Sequence, residues 1–293
     1  MNSKKNIVSD RGRAHYFHGR NSEIDAFQKI LKLSKADGKG HSMLIQGAPG
    51  VGKTALLREL EKKGEQAGWT VSKIELDALW NVNELHNALM DDEEYEKKTK
   101  EYQVNIKVAN ASMRYDKREQ TFSKTIRAIK KPHILVLDEA QMIGVGQAKD
   151  SPEMKQASYV MSQLHNVELK QGLVFLIAGL SDTRKIFKDF KISRFNDDCV
   201  IHLNLLEKEA EKSILKDYLV KGAGVDRQHP DLHHWMDRMV KETHRWAHHI
   251  SCYGQVASKM VKSNGGYLSN DLLSEVLKES RRKKKELLQG SFY

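Results

Sequence analysis

The chain has 293 residues, enough for one large domain or for a main domain with a smaller appendage. Its hydrophobic fraction of 39% allows a real core, and its charged fraction of 30% predicts a very polar surface. No apolar run approaches the ~18 residues of a membrane span, and the first residues lack the apolar stretch of a signal peptide. The chain has only two cysteines, which excludes a disulfide framework. We therefore expect a cytoplasmic protein with no membrane partner.

The charge balance is basic, with a formal net charge of +10 and a sequence pI of about 9.3. This favours an anionic partner, most often nucleic acid, although a basic surface that only aids solubility gives the same value. The basic residues are dense at 1–15, which predicts a flexible arm, and again at Ser280–Lys285 near the C-terminus.

The first predicted helix is amphipathic and is capped by Asn21 or Ser22. A loop precedes it and carries a Phe-x-Gly-Arg sequence formed by Phe17, Gly19 and Arg20. On their own, these residues indicate only a loop that leads into a helix.

A predicted strand, a glycine-rich loop and a predicted helix come next. Met43–Ile45 is a short apolar run, and a helical pattern begins near Lys53 and continues through Ala55. Between the two, the sequence has the form Gly-x-x-x-x-Gly-Lys-Thr in the strand-to-helix context that this motif requires. Its residues are Gly47, Ala48, Pro49, Gly50, Val51, Gly52, Lys53 and Thr54.

This loop, called the phosphate loop below, has the chemistry of a nucleoside triphosphate site. Glycines lack a Cβ atom, so the backbone can turn its N–H groups toward phosphate oxygens, and the helix N-terminus adds a positive dipole. We expect Lys53 to contact the β- and γ-phosphates and the Thr54 hydroxyl to bind Mg²⁺. The sequence therefore predicts binding of ATP with Mg²⁺.

The helix after the phosphate loop is predicted to continue from Leu56 to Gln66, with Gly64 and Gly68 marking its end. Trp69–Leu76 is predicted to be a strand. The segment 91–131 is the hardest to interpret. Residues 91–100 fit a solvated helix with paired charges. Tyr102–Met113 fits a hairpin arm that contacts DNA or, equally, a surface insertion with no partner.

A second motif begins with the aliphatic run His133–Leu137, which predicts a fully buried parallel strand. Asp138 and Glu139 follow at its carboxyl end, where ligands bind in open α/β sheets. We expect Asp138 to hold Mg²⁺ through water and Glu139 to act as the general base toward the attacking water.

Leu173–Gly179 is a further buried strand, and Ser181 or Asp182 is placed to cap the helix that follows it. Cys199–Leu205 is predicted to be the last strand. From Glu207 onward the pattern is helical, with predicted helices at Lys208–Val220, Pro230–Thr243, His244–Ser263 and Asp271–Leu288.

The order of these motifs resembles the AAA+ ATPases, of the initiator and STAND-like branches, from about Phe17 to Leu288. The resemblance implies a parallel five-stranded sheet sandwiched by helices (P-loop α/β class), with a C-terminal all-helical lid domain. We therefore expect an AAA+ nucleotide-binding domain at 16–206 and a lid with a basic tail at 207–293. The layout is also similar to that of the transposition-regulator ATPases of mobile elements.

The resemblance also implies roles for single residues. Phe17, Gly19 and Arg20 would border the adenine. Ser181 or Asp182 would sense the γ-phosphate, unless these residues only cap a helix. Arg194 would be the finger that reaches a neighbouring subunit, with Arg184 as a rival. The family's second sensor is often Gly-x-Pro-Arg, whose glycine, proline and arginine positions here hold Arg245, Ala247 and His248. Either His248 or Arg245 would then serve as the sensor.

These expectations describe an ATPase that acts as an assembly switch. The implied partners are ATP, further copies of the chain as a homo-oligomer, and double-stranded DNA bound through the basic surface. The alternative is a STAND-like or defence-type switch that controls a protein effector without contacting DNA.

Overall fold

The computed structural model describes residues 15–74, 132–143, 172–189 and 199–290, together with residues 151, 155 and 158. These residues form two compact units. The sheet unit takes its described residues from 21–48 and 56–203, and the helical unit takes them from 15–20, 49–55 and 204–290. Arg194, the segment 91–131 and residues 1–14 of the predicted arm lie outside the described residues.

The described residues of the sheet unit form a five-stranded, fully parallel sheet, as the family resemblance implies. The strand order is β2-β3-β4-β1-β5. The strands are β1 (His41–Gln46), β2 (Thr70–Ile74), β3 (His133–Leu137), β4 (Leu173–Gly179) and β5 (Val200–His202).

The central strands are apolar because both of their faces are covered. Every residue of β3 and of β4 is buried, which explains why their sequences are continuous aliphatic runs rather than alternating ones. Gln46 of β1 pairs with Gly179 of β4 in the parallel register, so these two strands end side by side. The residues that follow β1, β3 and β4 therefore emerge at the same edge of the sheet.

Helices flank this sheet. They are α1 (Asn21–Ala36), which buries Phe27 and Leu31, α2 (Lys53–Gln66) and α3 (Thr183–Asp189). The prediction that α2 continues to Gln66 is confirmed, and Gly64 lies within it. A Cβ atom there would lie 2.3 Å from Ile134 Cδ1, so the glycine lets the helix pack closely on β3.

The helical unit confirms the predicted all-helical C-terminal region. Its helices are α4 (Lys208–Asp217), which continues as a π-helical turn (Tyr218–Gly222), α5 (Leu232–Thr243), α6 (Ala247–Ser263) and α7 (Asn270–Gly290). Their apolar faces form one core around fully buried Trp235 and Tyr253. In the part of the chain described here, no helix combines the length and the apolar composition needed to cross a membrane.

The turn between α5 and α6 differs from the predicted helix, which would begin at His244. His244 and Arg245 have φ angles of 50° and 63°, and α6 begins only at Ala247. Two successive non-glycine residues in the left-handed region are uncommon and costly. The family's glycine position thus holds an arginine in a conformation that glycine would adopt without strain.

A buried carboxylate holds this turn. The Glu211 side chain of α4 is fully buried, and its Oε1 accepts hydrogen bonds from the Thr243 hydroxyl and from the Arg245 backbone N–H, the latter at 3.0 Å. Because a buried carboxylate is costly without donors, this pairing stabilises both the acid and the left-handed turn.

Candidate functional site

The phosphate loop occupies the connection between the end of β1 and the start of α2 at Lys53. Gly50 and Gly52 have φ angles of 76° and 105°, values that residues with a Cβ atom rarely adopt. Lys53 is buried, at 6% exposure, and Thr54 is half-buried. The loop therefore has the backbone form and the helix N-terminus that phosphate binding requires.

Within the helical unit, the N-terminus of α6 contacts the phosphate loop. The His248 backbone N–H donates to the Gly50 carbonyl at 3.0 Å. A Cβ atom on Gly50 would lie 3.1 Å from His248 Cβ, and one on Gly52 would lie 3.1 Å from Ala247 Cβ. The glycines are thus needed for close packing as well as for their φ angles.

Arg20 fixes the same loop from another direction. It is buried at 9% exposure, and its Nη2 donates to the Val51 carbonyl at 3.2 Å and to the Asn204 carbonyl at 2.5 Å. Gly19 and Arg20 both have positive φ, and a Cβ atom on Gly19 would lie 2.8 Å from Ala210 Cβ. Arg20 therefore has a structural contact with the phosphate loop, whatever its role toward adenine. Phe17 is half-buried, and its predicted role stays a prediction.

The imidazole of His248 is less basic than that of an exposed histidine. Burial lowers the pKa of its imidazole, which favours the neutral form at neutral pH. Burial also lowers the pKa of the neighbouring His249, and the charge of Lys284 adds to this effect. A neutral His248 can donate or accept a hydrogen bond but does not supply the permanent charge of an arginine, and its role as a sensor stays a prediction.

In the sheet unit, Asp138 and Glu139 follow β3 directly. Asp138 Oδ1 accepts a hydrogen bond from the Glu139 backbone N–H at 2.9 Å. Glu139 has φ 52° and ψ 37°, in the left-handed region, and its side chain is exposed. The Glu139 carbonyl accepts from the Met142 N–H at 2.9 Å, which begins the short 3₁₀ helix Ala140–Met142.

Two glutamines that sequence reasoning missed lie at the same sheet edge. Gln46, the last residue of β1, is buried at 1% exposure, and its Nε2 donates to the carbonyls of Leu180 and Ser181 at 3.3 and 3.1 Å. Gln141 accepts from the Leu180 N–H at 3.0 Å and donates to Glu139 Oε2 at 2.5 Å. Their positions, one immediately before the phosphate loop and one two residues after Glu139, were the available signal.

Ser181 is exposed beyond the end of β4. The helix α3 begins at Thr183, whose side chain is fully buried with no hydrogen-bond partner for its hydroxyl among the described residues. A Cβ atom on Gly179 would lie 2.1 Å from Thr183 Oγ1. The sheet end before Ser181 is therefore closely packed, and the proposed sensing role of Ser181 stays a prediction.

No group of three or more histidine, cysteine, aspartate or glutamate side chains in the described ranges could hold a metal ion by itself. The roles of Thr54 and Asp138 toward Mg²⁺ stay predictions.

Comparison with protein families finds an AAA ATPase domain at residues 16–158, just under half of the chain. This segment contains the phosphate loop and the Asp138–Glu139 pair. A comparison with curated protein sequences gives no match.

The fold is similar to that of several solved ATPases at low sequence identity. A Walker-type ATPase of Pyrococcus abyssi is 14% identical, with a TM-score of 0.59 over 96% of this chain and 76% of that protein. The Orc2 protein of Aeropyrum pernix, solved with ADPNP and ADP, is 14% identical, with a TM-score of 0.60 over 92% and 70%. The Orc1 protein of the same organism, solved in complex with DNA, is 14% identical, with a TM-score of 0.55 over 93% and 68%.

The matched domain, the parallel sheet and the phosphate loop agree with one another. Together they identify this chain as an ATPase that carries an AAA ATPase domain on an AAA+ P-loop fold with a helical C-terminal region.

Proposed function

We propose that the chain hydrolyses ATP as a switch that controls its own assembly on double-stranded DNA. The observation that carries the nucleotide part is the phosphate loop, whose positive-φ glycines are held by Arg20 and by the start of α6. A loop fixed in this form costs little further entropy when it binds phosphate.

The proposed roles at the reacting end follow from charge and hydrogen-bonding capacity. Lys53 contacts the β- and γ-phosphates, and Glu139 orients the attacking water and accepts its proton. Mg²⁺ held by Thr54 and Asp138 would offset the phosphate charge. Ser181 forms a hydrogen bond to the γ-phosphate, and its backbone position is set by the bond from Gln46.

At the other end of the nucleotide, Phe17 and Gly19 border the adenine. Neutral His248 acts as the second sensor. Arg194 is proposed to enter the site of a neighbouring copy, because a permanent planar cation suits the spread charge of the transition state. An Arg194→Ala protein should therefore bind ATP normally and lose turnover only under conditions where copies assemble.

The DNA part of the proposal rests on charge. The net charge is +10, and the basic run near the C-terminus lies on α7. Arg281 pairs with Glu242 at 2.6 Å, and Arg282 pairs with Glu279 and Glu286, so both arginines are committed to the protein. Within the described ranges, Lys283, Lys284 and Lys285 form no ion pair, which leaves them for phosphate contacts. The relative from A. pernix that was solved with DNA adds support.

The test is ATP hydrolysis with and without double-stranded DNA at low and moderate salt, with particle size measured in parallel. We expect DNA to stimulate hydrolysis, salt to reverse the stimulation, and ATP to increase the particle size. Heparin serves as the control polyanion, and Lys53→Ala serves as the control without ATP binding.

A hydrolysis rate that DNA does not change at any salt concentration would overturn the proposal of DNA binding. It would favour a switch that controls a protein effector. Stimulation by heparin equal to that by DNA would likewise reduce the DNA effect to general polyanion binding.

A further inference from the structure

Two glutamine side chains bind the backbone just past β4 from opposite directions. Gln46 donates to the carbonyls of Leu180 and Ser181, and Gln141 accepts from the Leu180 N–H. The donor and the acceptor of Leu180 are therefore both occupied by side-chain amides. All of these groups belong to the sheet unit.

The chemistry of the partners fixes the orientation of the Gln141 amide. A backbone N–H can only donate, so the atom that faces Leu180 N at 3.0 Å must be the amide oxygen. The NH₂ group then faces Glu139 Oε2 at 2.5 Å, and an ionised carboxylate can only accept. Among uncharged side chains of this length, only glutamine satisfies both partners at once.

In the part of the chain that the structure describes, the Glu139 carboxylate accepts a hydrogen bond from the Gln141 amide. The residue is exposed, so packing does not select its rotamer, and its backbone is in the left-handed region at φ 52°. A general base must lie within hydrogen-bond reach of the proton that it removes. A charge-assisted hydrogen bond to one carboxylate oxygen restrains the rotamer and leaves the other oxygen for water.

We infer that Gln141 is a positioning residue for Glu139 and that it connects this carboxylate to the β4 end, to which Gln46 is also hydrogen-bonded. Gln46 immediately precedes Gly47, whose N–H donates to the Gly179 carbonyl at 3.3 Å. A displacement of the β4 end therefore moves the amide that orients Glu139. The inference rests on the proposed role of Glu139 as general base.

Three variants test the inference. Gln141→Glu keeps an acceptor for the Leu180 N–H but replaces the donor that faces Glu139 with a second carboxylate. Gln141→Leu removes both hydrogen bonds without adding charge. Gln28→Glu, at an exposed position of α1, is the matched control for the change in charge.

We expect Gln141→Glu and Gln141→Leu to lower kcat by about 10- to 100-fold, the range that a misplaced catalytic group costs. The dissociation constant for Mg²⁺–ATP should stay within about twofold, and Gln28→Glu should match the parent chain in both values. Thermal unfolding of each variant shows whether it is folded. If Gln141→Leu fails to fold, Gln141→Glu still tests the inference, because it keeps an acceptor for the Leu180 N–H.

A double-mutant cycle with Glu139→Gln separates positioning from structure. If Gln141 acts through Glu139, then adding Gln141→Leu to Glu139→Gln produces no further loss of kcat. A second loss of the same size as the first would instead mean that Gln141 supports the fold independently, and the inference would be wrong.

The cycle also distinguishes this inference from the proposed function. If Glu139→Gln hydrolyses ATP at the parent rate, then the general-base assignment fails and the inference fails with it. If Glu139→Gln is inactive while both Gln141 variants keep the parent kcat, then only the inference is overturned.

Discussion

The two units hold their candidate functional residues by different means. In the sheet unit, Glu139 and the β4 end are held by side-chain amides, those of Gln141 and Gln46. In the helical unit, the phosphate loop is held through its own backbone. Gly50 and Gly52 have positive φ angles, and the carbonyls of Gly50 and Val51 accept hydrogen bonds from the His248 N–H and the Arg20 side chain. The hydrogen bond to the exposed Glu139 carboxylate can be removed at little cost in stability, whereas changes that affect the backbone of the phosphate loop alter the path of the chain.

This comparison predicts a separation of effects. Variants at the sheet edge should change kcat more than stability, and variants that support the phosphate loop should change stability and ATP affinity together.

The largest effect should come from Lys53→Ala. The lysine is buried at 6% exposure in the first turn of α2, and its loss removes the charge expected to contact the β- and γ-phosphates. We expect the dissociation constant for Mg²⁺–ATP to rise on the order of 100-fold or more, or about 2.7 kcal/mol. Calorimetry measures it, and Lys62→Ala, an exposed position on the same helix, is the control. Equal affinity in the two variants would remove Lys53 from the site.

Glu211→Ala should be next in size. It removes the acceptor of the Thr243 hydroxyl and of the Arg245 N–H inside the helical unit. A buried donor left without a partner costs about 1–3 kcal/mol, so we expect a loss of about 2–3 kcal/mol in the free energy of unfolding. Urea unfolding measures it.

Two further variants make the Glu211 result specific. Glu211→Gln keeps an acceptor oxygen and should cost much less than Glu211→Ala. Glu209→Ala, exposed on the same helix, should stay within about 0.5 kcal/mol of the parent chain. The turn that Glu211 holds leads into α6, whose His248 N–H donates to Gly50, so we also expect Glu211→Ala to weaken ATP affinity. A loss of stability with unchanged ATP affinity would contradict this.

Gly52→Ala should cost about 1–2 kcal/mol, since the alanine would take φ 105° and place its Cβ 3.1 Å from that of Ala247. Gly224→Ala is the matched control. Gly224 has φ 79° in the same unit, but a Cβ atom there meets open space. We expect both variants to lose stability and only Gly52→Ala to lose ATP affinity. Equal affinities would show that the loop tolerates a side chain at this position.

The smallest effect per residue should come from the basic run on α7. Changing Lys283, Lys284 and Lys285 together to Gln removes up to three phosphate contacts, and each contact adds about 0.9 to the salt slope of DNA binding. We expect the slope of log K against log salt to fall by up to about 3. The control changes Lys29, Lys32 and Lys188, which are exposed, to Gln and removes the same charge elsewhere. An equal fall in both triple variants would mean that only net charge matters.

Much of the sheet unit was predictable because its signals are local. The aliphatic runs of β3 and β4 indicate strands buried on both faces, and the phosphate loop and the Asp138–Glu139 pair each lie within a few residues of sequence. The hydrogen bonds of the Gln46 and Gln141 side-chain amides were missed because they connect the ends of three strands that are far apart in the sequence. Glutamine also has no intrinsic pattern that marks it as buried.

The helical unit was predictable in class but not in detail. Hydrophobic periodicity identified its helices, but it extended α6 back to His244 because nothing in His244–Arg245–Trp246 resembles a turn. The left-handed residues there are stabilised by Glu211, which lies 34 positions earlier than Arg245. Gly64 likewise lies within α2 because of contact with Ile134, a packing reason that single-sequence propensity does not contain.

The Arg20 contacts have a consequence for synthesis of the chain. The guanidinium joins the carbonyls of Val51 and Asn204, and Asn204 lies 184 positions after Arg20. A chain growing from its N-terminus at about 5–20 residues per second completes the phosphate-loop motif many seconds before residue 204 exists. The loop therefore acquires its fixed backbone only late in translation, and a nascent chain that already contains the whole motif should not yet retain nucleotide.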